Sequence, residues 1–527
     1  MKYYFSLIFL SMVALLPVRA RAETYDLIIR HGRVVDGTGN PAFFADVGVT
    51  NGRIAAIGRI TGDAKKEIDA KGLIVAPGFI DVHTHADEVP EMPLAENFVR
   101  MGVTTIVVGN CGGSVENIAK LFGAIDSNHV SVNVASLIGH GTIRGKVMGG
   151  SFMRPPSQAE LDKMKAMVEQ AMKDGAAGMS TGLIYLPGTF AKTEEIVELA
   201  KVVSAYDGIY TSHMRDEGTN IFDSLNELFR IAREAHVRAE ISHIKLSGNA
   251  SWHQTDKVLD AIAAARAEGL DITQDQYAYT ASSTGISQLV PDTAREGGEQ
   301  KFLERIGNVE QKAGIVEQMK HSLAGNARTS YEYAVIAYYA HDTNLNGLNI
   351  VEAAKLRHGS DSLDDQIETI LDIQAHGGAQ GVFHGMNEDD LQHFLQSPNT
   401  MIACDSGLRE FGKGVPHPRG YGNNARVLAR YVRDLHVLHL EDAIRRMTTL
   451  PAQTFHFKDR GQLREGNWAD ITIFDPEKVQ DNATYKDPHH YPTGIPYVLV
   501  NGVEVISNAQ ETGARPGMAL RHARPDQ

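Results

Sequence analysis

Residues 208–243 open with Gly208-Ile209-Tyr210-Thr211-Ser212-His213, continue with helical periodicity to about His236, and close with Ala239-Glu240-Ile241-Ser242-His243. Two short apolar runs joined by one long helical stretch are the repeating unit of a parallel sheet with crossover helices. Both runs end in histidine. The same alternation extends in both directions. Upstream, Val103-Thr104-Thr105-Ile106-Val107-Val108 precedes a helix near 114–123, and a strand over 132–138 leads to Gly139-His140-Gly141. A helix over 157–174, the short buried strand Gly178-Met179-Ser180-Thr181 and a helix over 194–206 follow. Downstream come a helix over 256–268, a strand over 271–277 and finally Thr400-Met401-Ile402-Ala403-Cys404-Asp405. The repetition predicts an α/β fold, a (β/α)8 TIM-like barrel over residues 78–455. A doubly wound open sheet is the competing form, but no Gly-rich dinucleotide fingerprint follows an early strand. Residues 284–399 are the least legible and read as later barrel units plus a helical insertion.

The two ends have a different texture. Residues 23–77 alternate apolar and polar positions between Gly-rich turns, as in Tyr25-Asp26-Leu27-Ile28-Ile29 and Arg53-Ile54-Ala55-Ala56-Ile57-Gly58, which predicts short antiparallel strands. Residues 456–527 repeat the pattern in Ala469-Asp470-Ile471-Thr472-Ile473-Phe474 and Val498-Leu499-Val500. The two clusters are expected to pair as one small β-sandwich domain that the chain leaves and later re-enters. Residues 1–22 have the order of a secretory signal peptide: Lys2, an apolar run from Tyr3 to about Val18, then Ala20-Arg21-Ala22. They predict an exported protein, periplasmic or secreted, with an uncleaved membrane anchor as the other reading. No other segment approaches the ~18 uninterrupted apolar residues of a spanning helix, so no stable membrane insertion is expected after cleavage.

Composition narrows the classes. Of 527 residues, 43% are hydrophobic and 22% charged, close to the globular average. The formal charge of −14, from 51 basic and 65 acidic residues, would repel a phosphate backbone and argues against nucleic acid as a partner. Two cysteines, Cys111 and Cys404, are too few for a disulfide scaffold, although one bridge between them is compatible with export.

The chemistry concentrates at strand ends. In Gly78-Phe79-Ile80-Asp81-Val82-His83-Thr84-His85 the two histidines stand at i and i+2, the spacing that puts both on one face of a strand. His-x-His alone is a weak pattern. Here Cys111, His213, His243 and Asp405 also follow predicted strands, and in a barrel every strand opens at its C-terminal end on the same face. Imidazole, thiolate and carboxylate gathered there suit Zn2+.

With those segments in view, the chain resembles the amidohydrolase superfamily and, within it, the D-aminoacylases or N-acyl-D-amino-acid deacylases. The resemblance spans nearly all of the chain after residue 22. It rests on Ala76-Pro77-Gly78-Phe79-Ile80-Asp81-Val82-His83-Thr84-His85, Gly109-Asn110-Cys111-Gly112, Ser180-Thr181-Gly182-Leu183-Ile184-Tyr185 and Ser212-His213-Met214-Arg215-Asp216-Glu217. Ser242-His243-Ile244-Lys245, Tyr279-Thr280-Ala281-Ser282-Ser283-Thr284 and Gly466-Asn467-Trp468-Ala469-Asp470 extend it. It implies that Cys111, His213 and His243 hold one tight zinc, that His83, His85 and Asp405 face a second, weaker position, and that Cys111 bridges the two. Pairing of Cys111 with Cys404 is the alternative to that role.

A zinc-held water ionises near pH ~7 in place of 15.7, which supplies hydroxide for attack on an amide, and the ion polarises the carbonyl. Asp405 is placed to accept the water's proton and pass it to the leaving nitrogen. The expected substrate is a small N-acyl amino acid, whose carboxylate calls for a cation and hydroxyl donors. Lys245, read as sharing a strand face with His243, is the candidate cation, and Tyr185, Tyr277 and Tyr279 are candidate donors whose packing in the barrel wall is an equal alternative. The resemblance also points to an arginine after the Ala-Ser-Ser-Thr segment, for which Arg295 is available. Phe383-His384-Gly385-Met386 and His417-Pro418-Arg419-Gly420 are suggestive loops outside this set. Competing readings are a hydantoinase-like cyclic amidase, a hydrolase of dipeptides with a D-residue, and a non-catalytic metal-binding envelope protein. Oligomeric state leaves no mark in the sequence.

Overall fold

The computed structural model describes residues 24–522, so the signal peptide read at residues 1–22 lies outside the described residues. Eight parallel strands form one sheet in chain order: Phe79–Asp81, Val103–Val108, Asn133–Gly139, Gly178–Gly182, Ile209–His213, Arg238–Ile241, Ile272–Gln276 and Thr400–Ile402. The ring closes between the first and the eighth by a side chain. The Asp81 carboxylate accepts from the Cys404 amide at 3.1 and 3.2 Å, and the Asp405 amide donates to the His83 carbonyl at 3.0 Å. Past that point Ser406 and Gly407 pair in parallel with Thr84 and His85. The barrel is therefore laced shut beside its metal-type residues.

Ile80, Val82, Val107, Ala135, Leu137, Ile209, Met401 and Ala403 form an apolar cluster within the barrel. On the fifth to seventh strands that filling gives way to Thr211, Glu240, Thr273 and Asp275, all buried. The crossover helices are amphipathic, as their periodicity requires. Helix Ile221–Ala235 buries Ile221, Leu225, Leu228, Phe229, Ala232 and Ala235 along one stripe, and helix Gln158–Lys173 begins with a capping box between Ser157 and Glu160. Among the described residues no helix is long and apolar enough to cross a membrane.

The chain ends do combine. Strand Ile74–Pro77 pairs antiparallel with Ile471–Phe474, and the resulting sheet has nine strands drawn from both ends. The expectation of a purely antiparallel arrangement is corrected. Strand Thr24–Val34 is long enough to run parallel to Asp63–Asp69 along its first part and to Ile74 and Val75 at its end. Long-range register, not local alternation, decides direction there.

Residues 284–399 also differ from expectation, because they hold no barrel strand. The seventh strand pairs directly with the eighth, and the insertion builds an antiparallel sheet from Ser282–Gly285, Ala334–Tyr338 and Gln380–Phe383. Helices Glu299–Gly307, Val309–Gly325 and Leu363–Ala375 pack on it around Phe302, Met319, Ile336, Ile367 and Ile370. Beyond the last strand, residues 514–522 run alongside the entry of the third barrel strand: the Val134 amide donates to the Met518 carbonyl and the Leu520 amide to the Val134 carbonyl.

Candidate metal centre and active site

Cys111, His243 and Asp405 each follow the end of a barrel strand, and each adopts positive φ, at 53°, 37° and 51°. Non-glycine residues rarely enter this region, so the backbone conformation is strained where the side chains turn into the mouth. Around Cys111 the chain has no room for larger neighbours. A Cβ on Gly182 would sit 2.1 Å from the Cys111 carbonyl, and one on Gly112, itself at φ +77°, would sit 2.7 Å from the Gly182 amide.

Six sequence-selected donors come together. Cys111 Sγ lies 3.2 Å from His83 Nε2, 3.5 Å from His243 Nε2 and 3.7 Å from His213 Nδ1. Asp405 Oδ1 lies 3.1 Å from His85 Nε2 and 3.5 Å from His83 Nε2. Three groups of donors share mutual reach: His83 with Cys111 and His243, His83 with His85 and Asp405, and His213 with Glu217 and His243. Because His83 and His243 each belong to two groups, the cluster is continuous. Zinc holds thiolate at about 2.3 Å and imidazole at about 2.0–2.1 Å, so tetrahedral neighbours stand about 3.5 Å apart, which the sulfur–nitrogen spacings match. His213 Nε2 is buried without an aligned hydrogen-bond partner. The donor set therefore fits zinc.

The local field favours the charge states a cation needs. Burial opposes ionisation of the Cys111 thiol, but His83, His213 and His243 outweigh it and hold its pKa well below the ordinary value. Burial likewise opposes the Asp405 carboxylate, and Arg419 with His83 and His243 holds it well below the usual range. His85 is raised to about 9, since its contacts with Asp405 and Cys111 overcome desolvation.

The disulfide alternative is corrected, because both cysteines are free and buried and Cys404 faces Asp81 instead. Lys245 does not share a strand face with His243. The sixth strand ends at Ile241, and in the loop beyond it Lys245 Nζ is held by Glu217 Oε1 at 2.5 Å and lies 2.8 Å from His243 Nδ1. Tyr185 sets its ring edge against His213 at 4.9 Å and its hydroxyl 3.1 Å from Thr284 Oγ1. Tyr277 lies between cations, with Arg419 4.5 Å and Lys245 5.9 Å from its ring. Tyr279 is committed elsewhere, donating its hydroxyl to Asp481 at 2.8 Å. Arg295 is likewise committed to Asp292 at 2.5 Å on the short helix Asp292–Arg295, and neither partner touches the donor cluster.

Three further residues complete the site. Glu217, four residues after His213, reaches His243 Nδ1 at 3.0 Å and His213 Nε2 at 3.7 Å. Asp275 backs His83 from the barrel interior at 3.0 Å. In the sequence it is one polar residue of the predicted strand over 271–277, with no pattern to single it out. Arg419, which opens the helix Arg419–Arg426 after His417-Pro418, lies with Nη1 2.9 Å from Asp405 Oδ2, and its Nε has no acceptor although the side chain is 2% exposed.

Known proteins resemble this chain over nearly its whole length. The amidohydrolase family model matches residues 66–506. D-aminoacylase of Alcaligenes xylosoxydans xylosoxydans is 34% identical over 525 residues, covering 95% of this chain and 98% of the relative. N-acyl-D-glutamate deacylase of the same organism is 35% identical over 523 residues, covering 95% and 97%. The crystal structure of N-acyl-D-glutamate deacylase from Bordetella bronchiseptica, complexed with zinc and a phosphonate inhibitor mimicking the tetrahedral intermediate, superimposes with a TM-score of 0.82. Identity to that structure is 33%, with 95% of this chain and 100% of that one covered. The chain thus belongs to the amidohydrolase family, in its D-aminoacylase and N-acyl-D-amino-acid deacylase branch, and is a metal-dependent hydrolase of linear amide bonds.

Proposed function

We propose that the protein hydrolyses N-acyl-D-amino acids to a carboxylate and a free D-amino acid. The observation that carries the reading is Asp405, which touches the histidines His83 and His85 on one side and the buried guanidinium of Arg419 on the other. Cys111, His213 and His243 would hold a zinc, and His83, His85 and Asp405 a second, weaker one. Bound zinc supplies a water of lowered pKa and polarises the scissile carbonyl.

The chain's own residues do the rest. Asp405 accepts the proton of the attacking water and delivers it to the departing nitrogen, without which the amine cannot leave. Arg419 keeps the Asp405 carboxylate ionised, so both its oxygens are acceptors in the resting site. Arg419, whose Nε has no acceptor in the protein, receives the α-carboxylate, in the role first sought at Lys245 and Arg295. Tyr277 stacks under that guanidinium, and Tyr185 bounds the pocket beside His213. The apolar run at residues 1–22 supports export to the periplasm or beyond.

The test is zinc analysis of the purified protein together with rates on paired N-acetyl-D- and N-acetyl-L-amino acids, hydantoins and D-residue dipeptides, before and after chelation. Faster turnover of the D enantiomer, lost on chelation and restored by zinc, is the expected result. Preference for a hydantoin or a dipeptide would replace the substrate class, and turnover that survives complete metal removal would end the mechanism.

A further inference from the structure

Each metal-type histidine has two ring nitrogens, and the hydrogen bond made by one decides which is free to bind an ion. His83 directs Nε2 toward Cys111 and Asp405, at 3.2 and 3.5 Å. Its Nδ1 points the other way, into the barrel, where Asp275 Oδ2 waits at 3.0 Å, and both side chains are fully buried. An acceptor there keeps the proton on Nδ1 and the lone pair on Nε2. Asp275 lies on the seventh strand and on the far side of His83 from the donor cluster, so it holds the ring without competing for the ion.

A second buried carboxyl stands beside Asp275. On the sixth strand Glu240 pairs in register with Thr273, which puts it next to Asp275 on the same face. Glu240 is fully buried, and neither of its oxygens nor Asp275 Oδ1 has an aligned partner in the ladder. Two carboxyls side by side in a dry interior cannot both be charged. Asp275 Oδ2 is the acceptor and His83 the recipient of a fixed orientation. Glu217 Oε1 likewise lies 3.0 Å from Nδ1 of His243.

We propose that Asp275 is the positioning residue that fixes the ring and tautomer of His83, so that zinc held through His83 depends on a carboxylate that never touches the ion. The inference rests on the zinc reading above. Its test measures zinc affinity of the full-length protein by competition with a chromogenic chelator, for wild type, His83→Ala and Asp275→Ala, with circular dichroism to confirm folding. His83→Ala identifies the zinc that His83 holds. Asp275→Ala must weaken that same zinc by about 10- to 100-fold, the usual cost of losing such an outer partner. Zinc that His83 does not hold must keep its wild-type affinity. Should Asp275→Ala fail to fold, Asp275→Ser carries the same expectation with a smaller disturbance. A folded variant with wild-type affinity, or with every zinc weakened equally, overturns the inference. A His83→Ala variant that loses no zinc affinity overturns the ligand assignment itself, a separate failure.

Discussion

Replacing Arg419 by methionine removes a buried guanidinium while keeping much of its bulk. Hydrogen bonds to a charged group contribute about 1.5–3 kcal/mol each. One donor, Nε, has no acceptor in the protein, whereas Nη1 lies 2.9 Å from Asp405 Oδ2. Loss of a carboxylate hydrogen bond at Nε corresponds to about 1.5–3 kcal/mol, or about 10- to 10²-fold in kcat/KM at 1.36 kcal/mol per decade. The informative assay compares an N-acetyl-D-amino acid with its primary amide, which presents no carboxylate. Wild type should favour the acid, and in Arg419→Met that preference should collapse while the amide loses far less. A second signature is independent of binding. Arg419 is the largest favourable influence on the Asp405 carboxylate, so its removal raises the Asp405 pKa and moves the acid limb of the pH–rate profile upward. His83 and His85 remain as counter-charges. Equal losses for acid and amide would refute the assignment of Arg419 as the carboxylate anchor.

Asp405→Asn should lower kcat by about 10²- to 10⁴-fold, the usual contribution of a positioned acid–base group, in protein whose zinc content is measured in parallel. Glu195→Gln should destabilise the fold by about 3–5 kcal/mol in chemical denaturation, because Glu195 is the buried partner of Arg144 at 3.0 Å and His140 at 2.8 Å. Burial opposes the Glu195 charge, but His140 and Arg144 prevail and lower its pKa, so the native state binds the proton less readily than the unfolded one. The Glu195 contribution is complete above the ordinary carboxylate pKa and is lost as pH falls through the lowered folded value, so the gap between wild type and Glu195→Gln should narrow on acidification. Deleting residues 514–527 removes the backbone bonds of Gly517, Met518, Leu520 and His522 with Val130, Val134 and Gly175, and should cost about 2–6 kcal/mol in thermal unfolding at roughly 0.5–1.5 kcal/mol per bond.

The barrel and its donors were legible because both depend on short-range patterns. A strand announces itself over five or six residues, its C-terminal end is known once the fold is known, and His83, Cys111, His213, His243 and Asp405 stand at or just beyond such ends. What the pattern does not carry is where a side chain goes after the strand stops. Lys245 follows His243 by two residues, yet the turn at φ 37° abolishes the alternation that would have put them on one face. Long-range partners are equally silent. Nothing near Tyr279 announces Asp481, and nothing near Arg295 separates a substrate anchor from an ion pair closed within its own helix. Asp275 was visible only as one polar residue in the predicted strand over 271–277, with nothing to name His83 as its partner.

The shared sheet of the two chain ends has a consequence for how the molecule is made. Strand Ile74–Pro77 finds its antiparallel neighbour only in Ile471–Phe474, so one hydrogen-bonding edge stays open until almost the whole polypeptide has emerged. Folding is thereby weighted toward contacts between remote residues, which slows it and leaves early species prone to misassociation.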